Sequence, residues 1–271
     1  MINGVTIGGL LPNSSFQSYK TVFGDKSKSL EKFENSKPVQ KEIEWFKEQA
    51  KKVKTVDEVL DNRRMMEFIL SAYSVDDEIK YPGRYKKILK EPPDDKQSLV
   101  NKLRDPRFKE MAKDLAFAGL GVGKLSFGYF LEDLAKKFVT NEFEKKLGEQ
   151  NPALREAAYF KRKAGGIKDV YDILGDKVMR AVVTSALGIP PQAAVQSIEK
   201  QAFLVTDKLD IKKFADPAFV DTFLKKYLIK ADSTNSGTLT GKGSELLQLL
   251  GGASKGGITL PTGGSRVNVT V

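Results

Sequence analysis

The fold is decided by residues Pro38–Val75, which read PVQKEIEWFKEQAKKVKTVDEVLDNRRMMEFILSAYSV. Shifted by 114 positions (152 minus 38), this stretch aligns without a gap with Pro152–Ile189, which reads PALREAAYFKRKAGGIKDVYDILGDKVMRAVVTSALGI. Identical pairs include Pro38 with Pro152, Glu42 with Glu156, Phe46 with Phe160, Lys47 with Lys161, Val56 with Val170, Leu60 with Leu174 and Met65 with Met179. Apolar positions stay in phase throughout, so the sequence predicts an internal duplication.

Each copy is predicted to be helical. Apolar residues recur at helical spacing in both copies: Ile43, Phe46, Ala50 and Val53 in the first, and Ala157, Phe160, Ala164 and Ile167 in the second. A single further helix is expected from Thr55, whose buried face would comprise Val56, Val59, Leu60, Met66, Ile69, Leu70 and Tyr73. No long alternating run suggests a sheet.

Several helix starts carry capping residues. Thr55 and Glu58 have the spacing of a capping box, and Asp169 and Asp172 form a weaker version of it. An aspartate or asparagine before a proline also fits the first turn of a helix, because proline has no N–H to leave unpaired there. Three such starts are expected, at Asp105-Pro106, Asn151-Pro152 and Asp216-Pro217.

One long helix is predicted between the copies, over Phe127–Leu147, roughly 30 Å in length. Its apolar positions Phe127, Leu131, Leu134 and Phe138 are expected to face both copies and to bridge them. The predicted fold class is therefore all-α, with two tandem copies of a multi-helix unit joined by a long bridging helix and with flexible termini.

The expected organisation has four parts. Residues 1–34 form an N-terminal arm and a first helix, 35–124 the first unit, 125–231 the bridging helix with the second unit, and 232–271 a tail rich in glycine, serine and threonine. Two islands interrupt the tail: Ser244–Leu250 could form a short amphipathic helix before Gly251-Gly252, and Val267, Val269 and Val271 alternate at strand period.

Composition excludes several kinds of chemistry. The chain has no cysteine and no histidine, which rules out disulfides, zinc fingers, thiol nucleophiles and imidazole bases. The glycine-rich stretch Gly119–Lys124 resembles a phosphate loop, but Ala118 stands where the first glycine belongs and Leu125 follows the lysine. We therefore predict no catalytic residues, no cofactor-binding residues and no metal ligands.

Charge and hydropathy limit the partners. The 45 basic and 35 acidic residues give a net charge of +10, but lysine and glutamate alternate along Lys41–Glu48, as on a solvated helix face. This pattern favours a solvated surface over nucleic-acid binding. No apolar run is long enough to cross a bilayer, and Met1–Leu11 lacks the basic start of a cleaved signal peptide.

The order of these motifs resembles a bacterial family of unknown function, DUF1217. The residues that carry the resemblance lie over roughly 35–230: Pro38–Lys47, Val56–Arg64, Asp105–Phe108, Phe143–Asn151, Phe160–Arg162 and Ser185–Pro190. The resemblance implies no catalytic residues, and it implies an association with flagellar genes. This sequence departs from the usual pattern of the family in three respects: it is rich in lysine, it has Lys37 where a helix-capping residue is typical, and it has a long glycine-rich tail.

We therefore expect a structural or assembly protein of the bacterial flagellum, without catalysis and exported without a cleaved signal peptide. Its partners would be other flagellar proteins or copies of itself. The alternatives are a cytoplasmic regulator or chaperone of flagellar assembly, a basic nucleic-acid-binding protein, and an enzyme that uses only carboxylates, lysines or hydroxyls.

Overall fold

The computed structural model describes residues 14–24 and 27–235, and all regular structure in these ranges is helical. The all-α prediction is thus confirmed for this part of the chain. The helices are α1 (Ser15–Phe23), α2 (Ser29–Glu34), α3 (Lys37–Ala50), α4 (Val56–Asp61), α5 (Arg63–Ala72), α6 (Pro82–Lys90), α7 (Pro106–Leu115), α8 (Phe117–Leu120), α9 (Gly128–Gln150), α10 (Pro152–Ala164), α11 (Val170–Gly175), α12 (Lys177–Ala186), α13 (Ile198–Thr206) and α14 (Pro217–Asn235). Short 3-10 helices span Asp76–Lys80, Leu99–Asn101, Gly123–Ser126, Pro191–Val195 and Ile211–Ala215.

The predicted helix starts are confirmed at all three X-Pro sites. Asp105, Asn151 and Asp216 each accept a hydrogen bond from the backbone N–H two residues on. The capping boxes differ from expectation. Asp169 and Asp172 form the complete reciprocal box, whereas the Glu58 carboxylate binds the N–H of Lys54, one residue before the cap.

The single helix predicted from Thr55 is wrong, because the chain breaks at Asn62. Its backbone is extended (φ −79°, ψ 97°), and its side chain accepts the N–H of Met65, so α4 ends and α5 begins there. Asp176 caps α12 in the same way at the matching position of the second half. A short polar side chain that caps the next helix offers the backbone an alternative to a continuous helix.

The hydrophobic core is continuous from one half to the other. Helix α9 begins and ends within a few residues of its predicted bounds, and it packs against α5 on one side and α10 on the other. Three stacked rings illustrate the packing: Phe68 lies 3.9 Å from Phe46 and 4.0 Å from Phe138, measured between ring centroids. The first half and the bridging helix are therefore part of the same core.

The two halves have the same order of elements. Helices α3 to α7 with two 3-10 turns are followed, after α9, by α10 to α14 with two 3-10 turns. Both α5 and α12 end in the same way, with Ser74 (φ 58°) and Gly188 (φ 67°) in the left-handed region. The next N–H, of Val75 or Ile189, bonds the carbonyl five residues back, which is a Schellman ending. The common origin of the halves stays a prediction.

The N-terminal helix packs on the far end of the chain. Helix α1 contacts α14 and α10, and the backbone N–H of Ser15 donates to Asp232 at 2.9 Å. Helix α14 runs to Asn235, so the predicted tail boundary at 231/232 falls inside a helix. The two islands of the tail, Ser244–Leu250 and Val267–Val271, lie outside the described residues.

Candidate functional site

A polar seam joins the two halves along the C-terminal part of α9. Asn141 and Glu142 are nearly fully buried. The Asn141 amide donates to Ser71 Oγ and to Asp76, both at 3.0 Å, and Ser71 Oγ donates to Glu142 at 2.9 Å. Lys145 Nζ donates to Asp76 at 2.9 Å and to Glu142 at 2.5 Å. Helix α9 is therefore held to the first half by polar bonds as well as by its apolar face.

The carboxylates around Lys145 favour its charged form. Burial alone would lower the pKa of Lys145, but Asp76 and Glu142 raise it above its ordinary value. Lys145 therefore stays charged throughout the neutral range. The two carboxylates that it contacts are compensated by it and by neutral hydrogen-bond donors, as buried charges require.

The second side of the seam is built around arginines. Arg162 on α10 forms two bonds to Glu144 of α9, at 2.8 and 2.9 Å, and Glu144 is only 3% exposed. Arg107 likewise pairs with Asp105 through two nitrogens and donates to the Ser74 carbonyl at 2.6 Å. Such forked pairs fix geometry as well as charge.

Tyr159 connects these arginines to the second half. Its hydroxyl donates to Asp176 at 2.5 Å, while the Arg162 guanidinium lies 5.0 Å from its ring centroid. Burial, with the nearby Asp176 carboxylate, raises the pKa of the Tyr159 hydroxyl well above its ordinary range. The hydroxyl therefore remains protonated and acts as a hydrogen-bond donor.

These groups line a cleft of about 950 Å³ between the halves. Glu144, Lys145, Arg107 and Tyr159 on its walls all contact other side chains of the protein rather than pointing freely into the cleft. The arrangement can hold two helical units in register. Sequence analysis missed the seam, although Asn141 and Glu142 stand three and four residues after Phe138, where the apolar stripe of the bridging helix would continue.

A second feature is an exposed apolar corner where α8 turns into α9. We call Phe127 and Tyr129 the aromatic corner; their exposures are 49% and 73%, and Leu120 at the end of α8 is 61% exposed. The rings of Phe127 and Tyr129 stack with centroids 5.6 Å apart. The prediction that Phe127 packs between the halves is therefore wrong: it is the N-cap residue of α9 and lies outside the buried stripe.

The glycines before this corner lie in three different elements: Gly119 in α8, Gly121 in a turn and Gly123 in a 3-10 helix. The helix that precedes them ends at Ala116, which is left-handed (φ 52°), and Gly121 has φ 55°. No strand leads into this stretch, and the backbone follows α8 and a 3-10 helix. A strand aimed at the loop is what a phosphate loop requires.

The third feature is an apolar groove of about 210 Å³ in the second half. Its walls come from α11, α12, α13 and the 3-10 helix between α12 and α13, and they include Leu174, Ala181, Ile189 and Leu204. Just outside the groove, Phe203 is 64% exposed. We call this feature the α12–α13 groove.

Within residues 14–24 and 27–235, no cluster of acidic side chains is arranged to hold a metal ion. None of the helices in these ranges combines the length and the apolar character that a bilayer span needs.

Comparison with known proteins identifies the family. No curated protein matches the chain. A crystal structure of an Agrobacterium tumefaciens protein is similar, with a TM-score of 0.72 and 30% sequence identity over 82% of this chain and 95% of that one. The family model of DUF1217, described as a protein of unknown function, matches residues 72–220. The chain therefore belongs to the DUF1217 family.

Proposed function

We propose that the protein is a structural or assembly component of the bacterial flagellum that acts by protein–protein contact, without catalysis of its own. The flagellar part of this proposal is supported by the resemblance described above. The observation that carries the contact role is the aromatic corner at the start of helix α9.

The aromatic corner has the chemistry of a contact surface. Tyr129 is 73% exposed, and its ring stacks on that of Phe127. Aromatic side chains are enriched in protein interfaces, because they bury a large area while losing few rotamers. Helix α9 is anchored by the seam along its other end, so the corner is presented on a fixed support. The proposed occupant is another flagellar protein.

The seam supports a mechanical role for the polar cleft. Glu142 and Glu144, the most buried carboxylates on α9, are both paired with cations of the same chain. A general acid or base needs a side chain free to exchange a proton with a substrate. In this proposal the cleft's charges serve to hold the halves together.

A double substitution tests the contact role. Phe127→Ser with Tyr129→Ser removes both rings, and serine is itself a preferred residue at the N-cap position that Phe127 occupies, so the fold should be preserved. We expect the amount of the protein recovered with sheared flagella to fall at least tenfold. The matched control is Tyr171→Ser, a change at a tyrosine on α11 that is 52% exposed.

Two results would overturn the proposal in different ways. Unchanged recovery of the double variant would show that the corner is not the contact. Absence of the unaltered protein from flagella would exclude a structural role, and it would favour a cytoplasmic regulator or chaperone of flagellar assembly.

A further inference from the structure

The α12–α13 groove is open in the second half, whereas the matching surface of the first half is closed. At the 114-residue offset, Arg180 and Thr184 on the wall of the groove correspond to Met66 and Leu70 of α5. Met66 and Leu70 are both fully buried. Where the first half supplies its own apolar side chains, the second half leaves a space with apolar walls.

The last helix of the described chain passes close to one end of this groove. Lys230 of α14 lies against the end of α12, with its Nζ 3.5 Å from the position that a Cβ of Gly188 would take. Gly188 directly precedes Ile189, which lines the groove. Helix α14 ends at Asn235, a little over one turn beyond Lys230.

The sequence after Asn235 contains a segment that fits the groove. Leu246, Leu247, Leu249 and Leu250 are the leucines of the predicted amphipathic island. Residues 236–245 span up to about 35 Å when extended, which is longer than the reach of several helical turns from the end of α14. An apolar cavity of about 150 Å³ accepts a benzene ring, and a groove of about 210 Å³ therefore accepts at least one leucine side chain.

The charges are complementary as well. Glu245 is the only acidic side chain in residues 236–271. Lys177 and Arg180 line the groove, and neither side chain forms an ion pair within the described ranges. A glutamate directly before the leucines would lie near these two cations when the leucines are seated.

We infer that the segment Leu246–Leu250 docks in the α12–α13 groove of the same molecule, with Glu245 beside Lys177 and Arg180. The tail of the same chain then supplies to the second half the apolar side chains that Met66 and Leu70 supply within the first half. This inference goes beyond the proposed function and does not depend on it, because it concerns contacts within one chain.

The absence of cysteine allows a direct distance measurement in the full-length protein. Spin labels attached after Lys200→Cys and Gln248→Cys report the distance between α13 and the island, and Lys200 is exposed at the side of the groove. Docking predicts a single narrow and short distance distribution by pulsed electron spin resonance. A broad distribution would overturn the inference.

Two variants and a dilution separate the alternatives. Leu246→Ser with Leu249→Ser should broaden the distribution, whereas the matched control Leu260→Ser with Val267→Ser should leave it narrow. Ala181→Glu, at an exposed groove position, should also broaden it by blocking the site and repelling Glu245.

Loss of the short distance after tenfold dilution with unlabelled protein would show docking into a second copy and would overturn the same-molecule assignment. A distance that persists despite the leucine substitutions would likewise contradict the inference.

Discussion

At the scale of single residues, ion pairing decides how the two halves are joined. Glu144 is buried on the bridging helix, and a buried carboxylate is costly unless a cation and hydrogen bonds compensate it. Arg162 supplies both through its two bonds from the second half. The Arg162–Glu144 pair therefore contributes more to holding the second half against the bridging helix than an exposed ion pair of the same length would.

The first prediction concerns this pair. Arg162→Met leaves Glu144 buried without its cation, and we expect the free energy of unfolding to fall by about 3 kcal/mol. Arg63→Met is the matched control, because Arg63 pairs with Glu67 in solvent with its side chain 73% exposed. Its expected cost is below about 0.5 kcal/mol. Urea unfolding of both variants measures the difference, and equal costs would contradict the account.

The second prediction concerns alkaline pH. Burial raises the pKa of four tyrosine hydroxyls, those of Tyr19, Tyr73, Tyr159 and Tyr227. A group whose folded pKa is raised stabilises the fold fully below its unfolded pKa, which for tyrosine is about 10. Above that pH the unfolded state loses protons that the folded state keeps, so stability falls. We expect a flat free energy of unfolding up to about pH 9 and a steep decrease beyond about pH 10.

Chemical denaturation at a series of pH values tests this expectation. Tyr129→Phe is a suitable control, because it removes the hydroxyl of a tyrosine that is 73% exposed and leaves the four buried hydroxyls in place. A free energy of unfolding that stays level up to pH 11 would contradict this prediction.

At the scale of helices, the ends determine where each element stops. Helix α7 ends at Ala116, which adopts a left-handed conformation that is favourable for glycine and costly for alanine. Its N–H bonds the Ala112 carbonyl, so the turn is fixed although the residue is unsuited to it. Because of this mismatch, a substitution by glycine is expected to stabilise the protein, although glycine usually destabilises a helix.

Ala116→Gly should stabilise the protein by about 1 kcal/mol, because it removes the left-handed strain. The same substitution at Ala112, in the interior of α7, should destabilise it by about 1 kcal/mol or more. Thermal unfolding of the two variants measures both effects. Destabilisation by Ala116→Gly would contradict the observed backbone conformation.

The elements were largely predictable where the signal was local. The caps at Asp105, Asn151 and Asp216 are set by residues next to them, and each was found from the sequence. The break at Asn62 was missed, because the apolar periodicity of α4 continues through it into α5. The partner of α1 was also missed, since a bond such as Ser15 to Asp232 joins the two ends of the chain.

The candidate sites were less predictable, because they too depend on contacts between residues that are far apart in the sequence. Seam residues such as Ser71 and Asn141 are ordinary polar residues in the sequence, and only the packing of α9 against α5 brings them together. The exposure of Phe127 likewise depends on where α9 begins. The α12–α13 groove also depends on how α12, α13 and the 3-10 helix between them pack, which the sequence does not show.

At the scale of the whole molecule, the halves share one core and one seam. The buried apolar residues form a continuous cluster from Tyr19 to Leu228, and α9 contributes to both halves. Structural units that share a core unfold together, because neither can lose its packing without exposing the other.

We therefore expect one cooperative unfolding transition. Trp45 is the only tryptophan and lies in the first half, where the Arg64 guanidinium is 3.8 Å from its ring. Its fluorescence should report the same urea midpoint as far-ultraviolet circular dichroism, which reports all helices. Two separated midpoints would show that the halves unfold independently.

The proposed flagellar role is tested most directly by quantitative mass spectrometry of intact flagella. Flagella are purified from the native host and cell extracts are prepared from a matched strain in which flagellar export is blocked. The account predicts that the protein is recovered in fixed proportion to known flagellar subunits and is retained inside the export-blocked cells. Its absence from purified flagella, with equal cellular amounts in both strains, would contradict it.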